Sequence, residues 1–228
     1  MKLSVIVPAY NEAATIKKVI DRVLNVDLMV DRELIVIDDG STDGTRDILG
    51  QIKDERVNII FHEKNTGKGG ALKTGFKNVT GDIVIIQDAD MEYDPADYVH
   101  LVKPIVDNLA DVVYGSRFLS GPHRVLLFWH FVGNKLITLA ANMLYNMNFT
   151  DIETGYKAFR SKIIKEEKFS SNSFGFEAEF TAKTVKRGYR IYEVPIKYAG
   201  RTYEEGKKIT WWDGIIALCI LIKYRICG

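Results

Sequence analysis

The chain has 228 residues, 46% hydrophobic and 27% charged, with a formal net charge of +1. That balance excludes a disordered or collagen-like polymer, and a near-neutral chain carries no global footprint for nucleic acid. Length suffices for one large α/β domain with a sizeable core, and Cys219 and Cys227 match no zinc or disulfide framework, so a reduced, cytosolic setting is expected.

From the N-terminus, residues 3–8 read as a strand, too short and too soon broken by Pro8 for a signal peptide. Further β-branched runs follow at 32–38, 57–62, 83–87 and 111–114. Between them, helical patterns start near Asn11, Asp43, Lys68 and Pro95. Asn11 reads as an N-cap before Glu12 and the apolar series Ile16, Val19, Ile20 and Val23. This alternation predicts a doubly wound, mostly parallel sheet with helices on both faces, and continuous Val and Ile suit strands covered on both sides.

Beyond Gly115 the pattern predicts a long helix over about 125–147, a short strand at 155–159 and a helix at 176–186. A strand at 191–198, a polar loop through Lys208 and a last helix complete the chain. No run reaches the roughly 18 uncharged apolar residues that a spanning helix needs. Residues 125–149 are interrupted by His130, Asn134 and Lys135, and residues 215–226 carry Lys223 and Arg225. Both segments suit a membrane surface and neither suits a crossing. The domain expectation is one unit over 1–210 followed by an amphipathic helix at 211–228.

In a parallel sheet, ligands gather at the C-terminal ends of the strands, where strand order reverses. Three predicted strands deliver acids there: Glu12 after the first, Asp38 and Asp39 after the second, Asp88 and Asp90 after the fourth. Converging carboxylates repel unless cations or hydrogen-bond donors fill the gap. Asp88 and Asp90 stand two apart in a turn, and hard oxygen donors suit Mg²⁺ or Mn²⁺ bridging to phosphates. Alone, an Asp-x-Asp pair can equally cap the helix that follows Asp94-Pro95; its place beside Glu12 and Asp39 favours binding. Asp39 is expected to accept from a base or ribose, with Asp43 capping the next helix. Asn65-Thr66-Gly67-Lys68-Gly69-Gly70 lacks the Walker spacing and reads either as a helix start near a diphosphate, with Lys68 assisting, or as close strand–helix packing.

Val7-Pro8-Ala9-Tyr10-Asn11-Glu12, Asp38 to Thr45, Gly67-Lys68-Gly69-Gly70-Ala71-Leu72 and Gln87-Asp88-Ala89-Asp90 together resemble glycosyltransferase family 2. Tyr114 to Phe118, Glu153 to Arg160, Phe176-Glu177-Ala178-Glu179, and the run from Val194-Pro195-Ile196 to Lys208 narrow the resemblance to dolichyl- (polyprenyl-) phosphate mannosyltransferases and their glucosyl relatives. The resemblance covers essentially the whole chain, which lacks the Q-x-x-R-W motif of processive synthases. It implies a GT-A fold, a nucleotide lined by Pro8, Tyr10, Glu12, Ile37 and Asp39, and Asp88, Ala89 and Asp90 at nucleotide and metal. Glu92 falls where the family places a further polar ligand, and Arg117, Arg201 and Lys207 match cations near the phosphates. The implied reaction inverts C1, moving mannose from GDP-mannose, or glucose from UDP-glucose, to a polyprenyl or dolichyl phosphate at the cytoplasmic face of a membrane.

A phosphate acceptor is largely a dianion at pH 7 and needs no general base. Glu153 therefore reads as a residue that places the acceptor or caps the following strand rather than as the base. Residues 116–150 contain Arg117, Arg124 and Lys135 and no acid, together with Leu126, Leu127, Phe128, Trp129, Phe131 and Val132. Such a cationic amphipathic segment suits an anionic interface, and Trp211-Trp212 repeats the theme at interfacial depth. The alternatives are ordinary core packing for the first segment and a docked closing helix for the second. Among the scattered histidines, His123 alone is expected near the acceptor.

Overall fold

The structure is a computed structural model that describes residues 1–28, 30–119, 124–125, 127–173, 175–202, 204 and 210–227. Lys207, Lys208, His123 and Leu126, singled out in the sequence, lie outside the described residues.

Strands β1 (Lys2–Ala9), β2 (Asp31–Asp38), β3 (Val57–Phe61), β4 (Ile83–Ile86), β5 (Val112–Ser116), β6 (Lys157–Arg160) and β7 (Ile191–Pro195) build one sheet in the order β3-β2-β1-β4-β6-β5-β7. Pairings of β1 with β2 and β4, β2 with β3 and β5 with β7 are parallel. The exception is β6, which runs antiparallel between β4 and β5. The mixed sheet agrees with the mostly parallel expectation. Its consequence is that β6 enters the sheet at the edge where β4 leaves it, carrying residues 153–156 to Asp88.

Helices α1 (Ile16–Asn25), α2 (Thr45–Gly50) and α4 (Tyr98–Val106) cover one face. Helices α3 (Lys68–Phe76), α5 (Phe128–Tyr145), α7 (Phe176–Lys186) and α8 (Trp211–Cys227) cover the other, while the short α6 (Lys162–Glu166) follows β6. The amphipathic series reads as written: Ile16, Val19, Ile20 and Val23 are the buried residues of α1. Its cap does not. The helix starts at Ile16 after Thr15, and Asn11 sits at φ 53°, a left-handed conformation that asparagine tolerates. There its Oδ1 accepts from the Thr42 N–H at 2.8 Å and its own N–H donates to Ser41 Oγ at 3.0 Å. Asn11 thus stitches the loop after β1 to the loop after β2. Asp43 does the same, accepting from the N–H groups of Thr45 and Ala13, each at 3.0 Å. Asp94 caps the 3-10 turn at Pro95–Asp97, accepting from the Ala96 N–H, so that duty does not fall on Asp88 or Asp90.

The C-terminal helix α8 docks on α5 and α7, burying Ala217 and Leu221 completely. Tyr145 donates to the Leu221 carbonyl at 2.8 Å and Tyr224 donates to Glu179 at 2.7 Å. Leu221→Ala should lower the melting temperature by roughly 5–15 °C, reflecting about 2–4 kcal/mol of lost burial and cavity formation. Thermal unfolding followed by circular dichroism checks it; a shift under 2 °C would mean that α8 is not docked.

Candidate active site

Because β2, β1 and β4 are neighbours and parallel, their C-terminal ends open onto one cavity of about 1010 Å³. Pro8, Tyr10, Glu12, Asp39, Asp88, Ala89, Asp90, Glu92, Arg117 and Arg201 all line it, as do Lys68, Glu153 and Glu177. Ile37 does not. Its side chain packs in the core against Gly75 of α3, because alternate residues of β2 face opposite sides of the sheet.

The acids are held by the chain's own cations. Arg201, from the segment after β7, donates to Asp90 Oδ2 at 2.8 Å and reaches Glu12 and Glu92 at 3.4 Å. Its backbone N–H donates to Glu92 Oε1 at 2.8 Å, and Tyr198 donates to Glu92 Oε2 at 2.8 Å. Lys68, at the start of α3, stands 2.7 Å from Asp88 Oδ1 and 3.0 Å from Glu177 Oε1. Gly155 makes room for this pair, since a Cβ there would overlap Asp88 Oδ2 and press on the Lys68 ammonium. Lys68 is largely buried, which lowers its pKa, yet Asp88 and Glu177 hold its ammonium above the usual lysine range.

Asp39 is occupied differently. Its two oxygens accept from the Thr66 N–H, the Thr66 hydroxyl at 2.7 Å and the Gly67 N–H at 2.8 Å. His62 Nδ1 lies 2.7 Å away, with Nε2 2.9 Å from the Thr74 hydroxyl. The carboxylate therefore clamps the turn that starts α3, and it does so from the position where the sequence suggested contact with a base or ribose. Gly67 adopts φ +83° in that turn and lies against the Asn172 carbonyl, leaving no space for a side chain.

Arg117 faces the cavity with its guanidinium fixed by Asp151: Nε to Oδ2 is 2.7 Å and Nη2 to Oδ1 is 2.8 Å. The Arg117 N–H and Asn134 Nδ2 each add a donor to Asp151 at 3.2 Å, and the pairing with Arg117 holds the Asp151 carboxyl below its ordinary range despite burial. Away from the sheet edge the cavity is walled by Trp129 and Ile137 of α5 and by Trp211 and Trp212 of α8, with His130, Asn134 and Asp213 among them.

Glu177 and Tyr93 line the cavity and are among the residues that sequence reasoning did not give as site members. The motif containing Glu177 was visible; its orientation required the placement of α7 against α3. Burial and the neighbouring Glu177 push the Glu153 carboxyl up to about 8, and burial pushes Lys157, packed over the Tyr114 ring, down to about 8. Burial, Asp88 and Glu92 push Asp90 up to about 7, although Arg201 pulls it down. Five carboxylates, Glu12, Asp88, Asp90, Glu92 and Glu177, thus meet two ion-paired cations, Lys68 and Arg201. The donor set fits a further divalent cation. Among the described residues no three acids or histidines already stand as a cluster that could hold one, so Asp88 and Asp90 would need phosphate oxygens and water to complete its shell, as Mg²⁺ commonly does.

Residues 4–167 match the family model described as glycosyl transferase family 2. An undecaprenyl-phosphate mannosyltransferase of Micrococcus luteus is 30% identical over 219 residues, 91% of this chain and 87% of that one. A UDP-N-acetylglucosamine–dolichyl-phosphate N-acetylglucosaminyltransferase of Methanococcus voltae is 30% identical over 212 residues, 84% of this chain and 83% of its own. Glucosyl-3-phosphoglycerate synthase from Mycobacterium tuberculosis, solved with Mn²⁺, UDP and glucosyl-3-phosphoglycerate, superposes with a TM-score of 0.72 at 25% identity, covering 98% of this chain and 79% of that one.

The Glu153 carboxyl is raised by the fold, so its protonated form is favoured there. The stability it confers is present below its ordinary carboxylate range and is lost as pH rises toward about 8. Glu153→Gln should therefore raise the melting temperature by several degrees at pH 8 and hardly at pH 5. A gain that shrinks with rising pH in melting curves would contradict this.

Proposed function

The chain belongs to glycosyltransferase family 2, and from that membership we propose that it moves a hexose from a nucleotide-sugar to a polyprenyl phosphate with inversion at C1. The observation that carries this reading is the two-ended chemistry of the cavity: acids and two cations at the sheet edge, tryptophans and Ile137 at the other end. A charged diphosphate suits the first end and an isoprenoid chain the second.

In this reading Pro8, Tyr10 and Glu12 border the nucleotide, and Asp39 acts by holding the turn of residues 65–67 beside it. Asp88 and Asp90 hold Mg²⁺ or Mn²⁺, with Glu92 the further ligand suggested by the sequence. When bound, such an ion neutralises negative charge on the diphosphate. The bond from C1 to the donor's β-phosphate oxygen breaks, and its electron pair leaves with the nucleoside diphosphate. A phosphate oxygen of the acceptor forms the new bond to C1 from the opposite face. Arg201 serves the leaving group, because it lies beside Asp90 and Glu12 and can donate to oxygens where charge develops; Lys207 joins it in this role. Arg117 borders the acceptor phosphate, its fork held rigid by Asp151. No proton need be removed, since the acceptor phosphate is already ionised.

GDP-mannose is the favoured donor, in keeping with the mannosyl transfer named for the Micrococcus relative. The names of the Methanococcus relative and of the Mycobacterium complex keep a UDP-sugar as the alternative. The acceptor's lipid implies work at a membrane surface, on its cytoplasmic side. Among the described residues no helix is long and apolar enough to cross a bilayer. Exposed Trp129 (78%), Met143 (77%) and Trp211 (67%) on α5 and α8 offer an apolar, aromatic face of the kind that enters the headgroup layer.

A second reading is transfer to a hydroxyl, favoured by Glu153: a cavity-lining carboxyl raised to about 8 has the properties of an acid–base group. Butanol-extractable radiolabel from GDP-mannose, UDP-glucose or UDP-N-acetylglucosamine, with dolichyl phosphate and Mn²⁺, separates these cases. The proposal expects lipid-soluble product, its loss on chelation, and substantial activity left in Glu153→Gln. A drop of about 100-fold or more in that variant would favour the hydroxyl acceptor, and no lipid product with any donor would sink the proposal.

A further inference from the structure

Phe176-Glu177-Ala178-Glu179 has no part in the mechanism above, yet α7 brings Glu177 into the donor end of the cavity. Lys68 Nζ lies between Asp88 Oδ1 at 2.7 Å and Glu177 Oε1 at 3.0 Å. All three side chains are largely buried, at 14%, 20% and 6% exposed for Lys68, Asp88 and Glu177. An ammonium on Asp88 occupies the oxygen that a divalent ion would need. Both cations are attracted to the same charge, so they compete for it.

Glu177 Oε2 is buried and accepts no hydrogen bond from the described residues. An orphaned buried acceptor is costly and calls for a donor. The nearest cation already touches the other oxygen of the same carboxylate. Lys68 can therefore leave Asp88 without leaving its charge unpaired, by moving fully onto Glu177 and satisfying Oε2. The absence of a Cβ at Gly155 is what lets Asp88 and the Lys68 ammonium lie this close to the chain.

We propose that Lys68 is an internal counter-ion that competes with the divalent metal for Asp88, and that Glu177 is the alternative seat to which Lys68 withdraws when the metal binds. Both are positioning residues: they set how readily Asp88 accepts the ion. The inference rests on the metal site assigned to Asp88 and Asp90, and it assigns Glu177 a task in metal exchange. Asp39 and the turn of residues 65–67 fix the start of α3, so Lys68 moves by side-chain rotation alone.

Two substitutions should act in opposite directions on Mn²⁺ affinity. Lys68→Met removes the competitor and should tighten binding about tenfold. Glu177→Gln, similar in shape, removes the alternative seat, commits Lys68 to Asp88 and should weaken binding about tenfold. Electron paramagnetic resonance of free Mn²⁺ reads affinity without turnover, on the full chain, with and without GDP or UDP; circular dichroism verifies folding. Opposite shifts support the proposal. Equal affinities, or shifts in the same direction, overturn it while leaving the metal site intact. If wild type takes up no Mn²⁺ under any of these conditions, the metal site itself is wrong and the proposal falls with it. Should Lys68→Met fail to fold, the Glu177→Gln arm decides: unchanged or tighter Mn²⁺ binding overturns the idea.

Discussion

Glu12, Asp88, Asp90, Glu92 and Glu177 line one cavity, and two cations, Lys68 and Arg201, are ion-paired to them. Like charges about 4 Å apart repel by about 4 kcal/mol where the effective dielectric is near 20. Such a concentration of acid persists only because the fold supplies counter-charge from distant parts of the chain. Lys68 comes from the start of α3, held by the Asp39 clamp on residues 66 and 67. Arg201 comes from the segment after β7, anchored by its own N–H and by Tyr198 on Glu92. Even so, these five acids outnumber the two cations paired to them, and burial together with Asp88 and Glu92 holds the Asp90 carboxyl up at about 7.

That excess connects fold to function. A site with spare negative charge and ion-paired internal cations is suited to a diphosphate accompanied by a divalent ion. When the pair arrives, the arginine can turn from carboxylate to phosphate without losing an ionic partner. The part of the cavity walled by α5 and α8 presents Trp129, Ile137, Trp211 and Trp212, with Asp213 its one carboxylate among the described residues. Glycosyl transfer to a lipid phosphate needs both environments within reach of one carbon atom, and this cavity brings them together.

Much of this was legible in the chain because the governing signals are local. Strand periodicity located β1 to β7 to within a few residues, and α7 fell on residues 176–186 as read. The acids at three strand ends declared a shared edge once a parallel sheet was inferred. Other features depend on contacts between distant segments. Asn11 has the chemistry of a cap, but its left-handed backbone and its bond to Thr42 place it between two loops instead. Ile37 sits next to the edge in sequence, yet strand alternation turns it into the core. Asp39 is saturated by Thr66, Gly67 and His62, partners 23 to 28 residues away. Glu177 becomes a site residue only because α7 brings it to Lys68 at the start of α3. The motif Phe176-Glu177-Ala178-Glu179 is visible in the chain, but the partner that Glu177 meets is not.

The most direct test is a crystal structure of the chain with Mn²⁺ and GDP. The account predicts the ion on Asp88 and Asp90, the diphosphate against it, and Arg201 turned from Asp90 toward a phosphate oxygen. Nucleotide bound elsewhere, or diphosphate in the cavity with Asp88 and Asp90 still closed on Lys68 and Arg201, would contradict it.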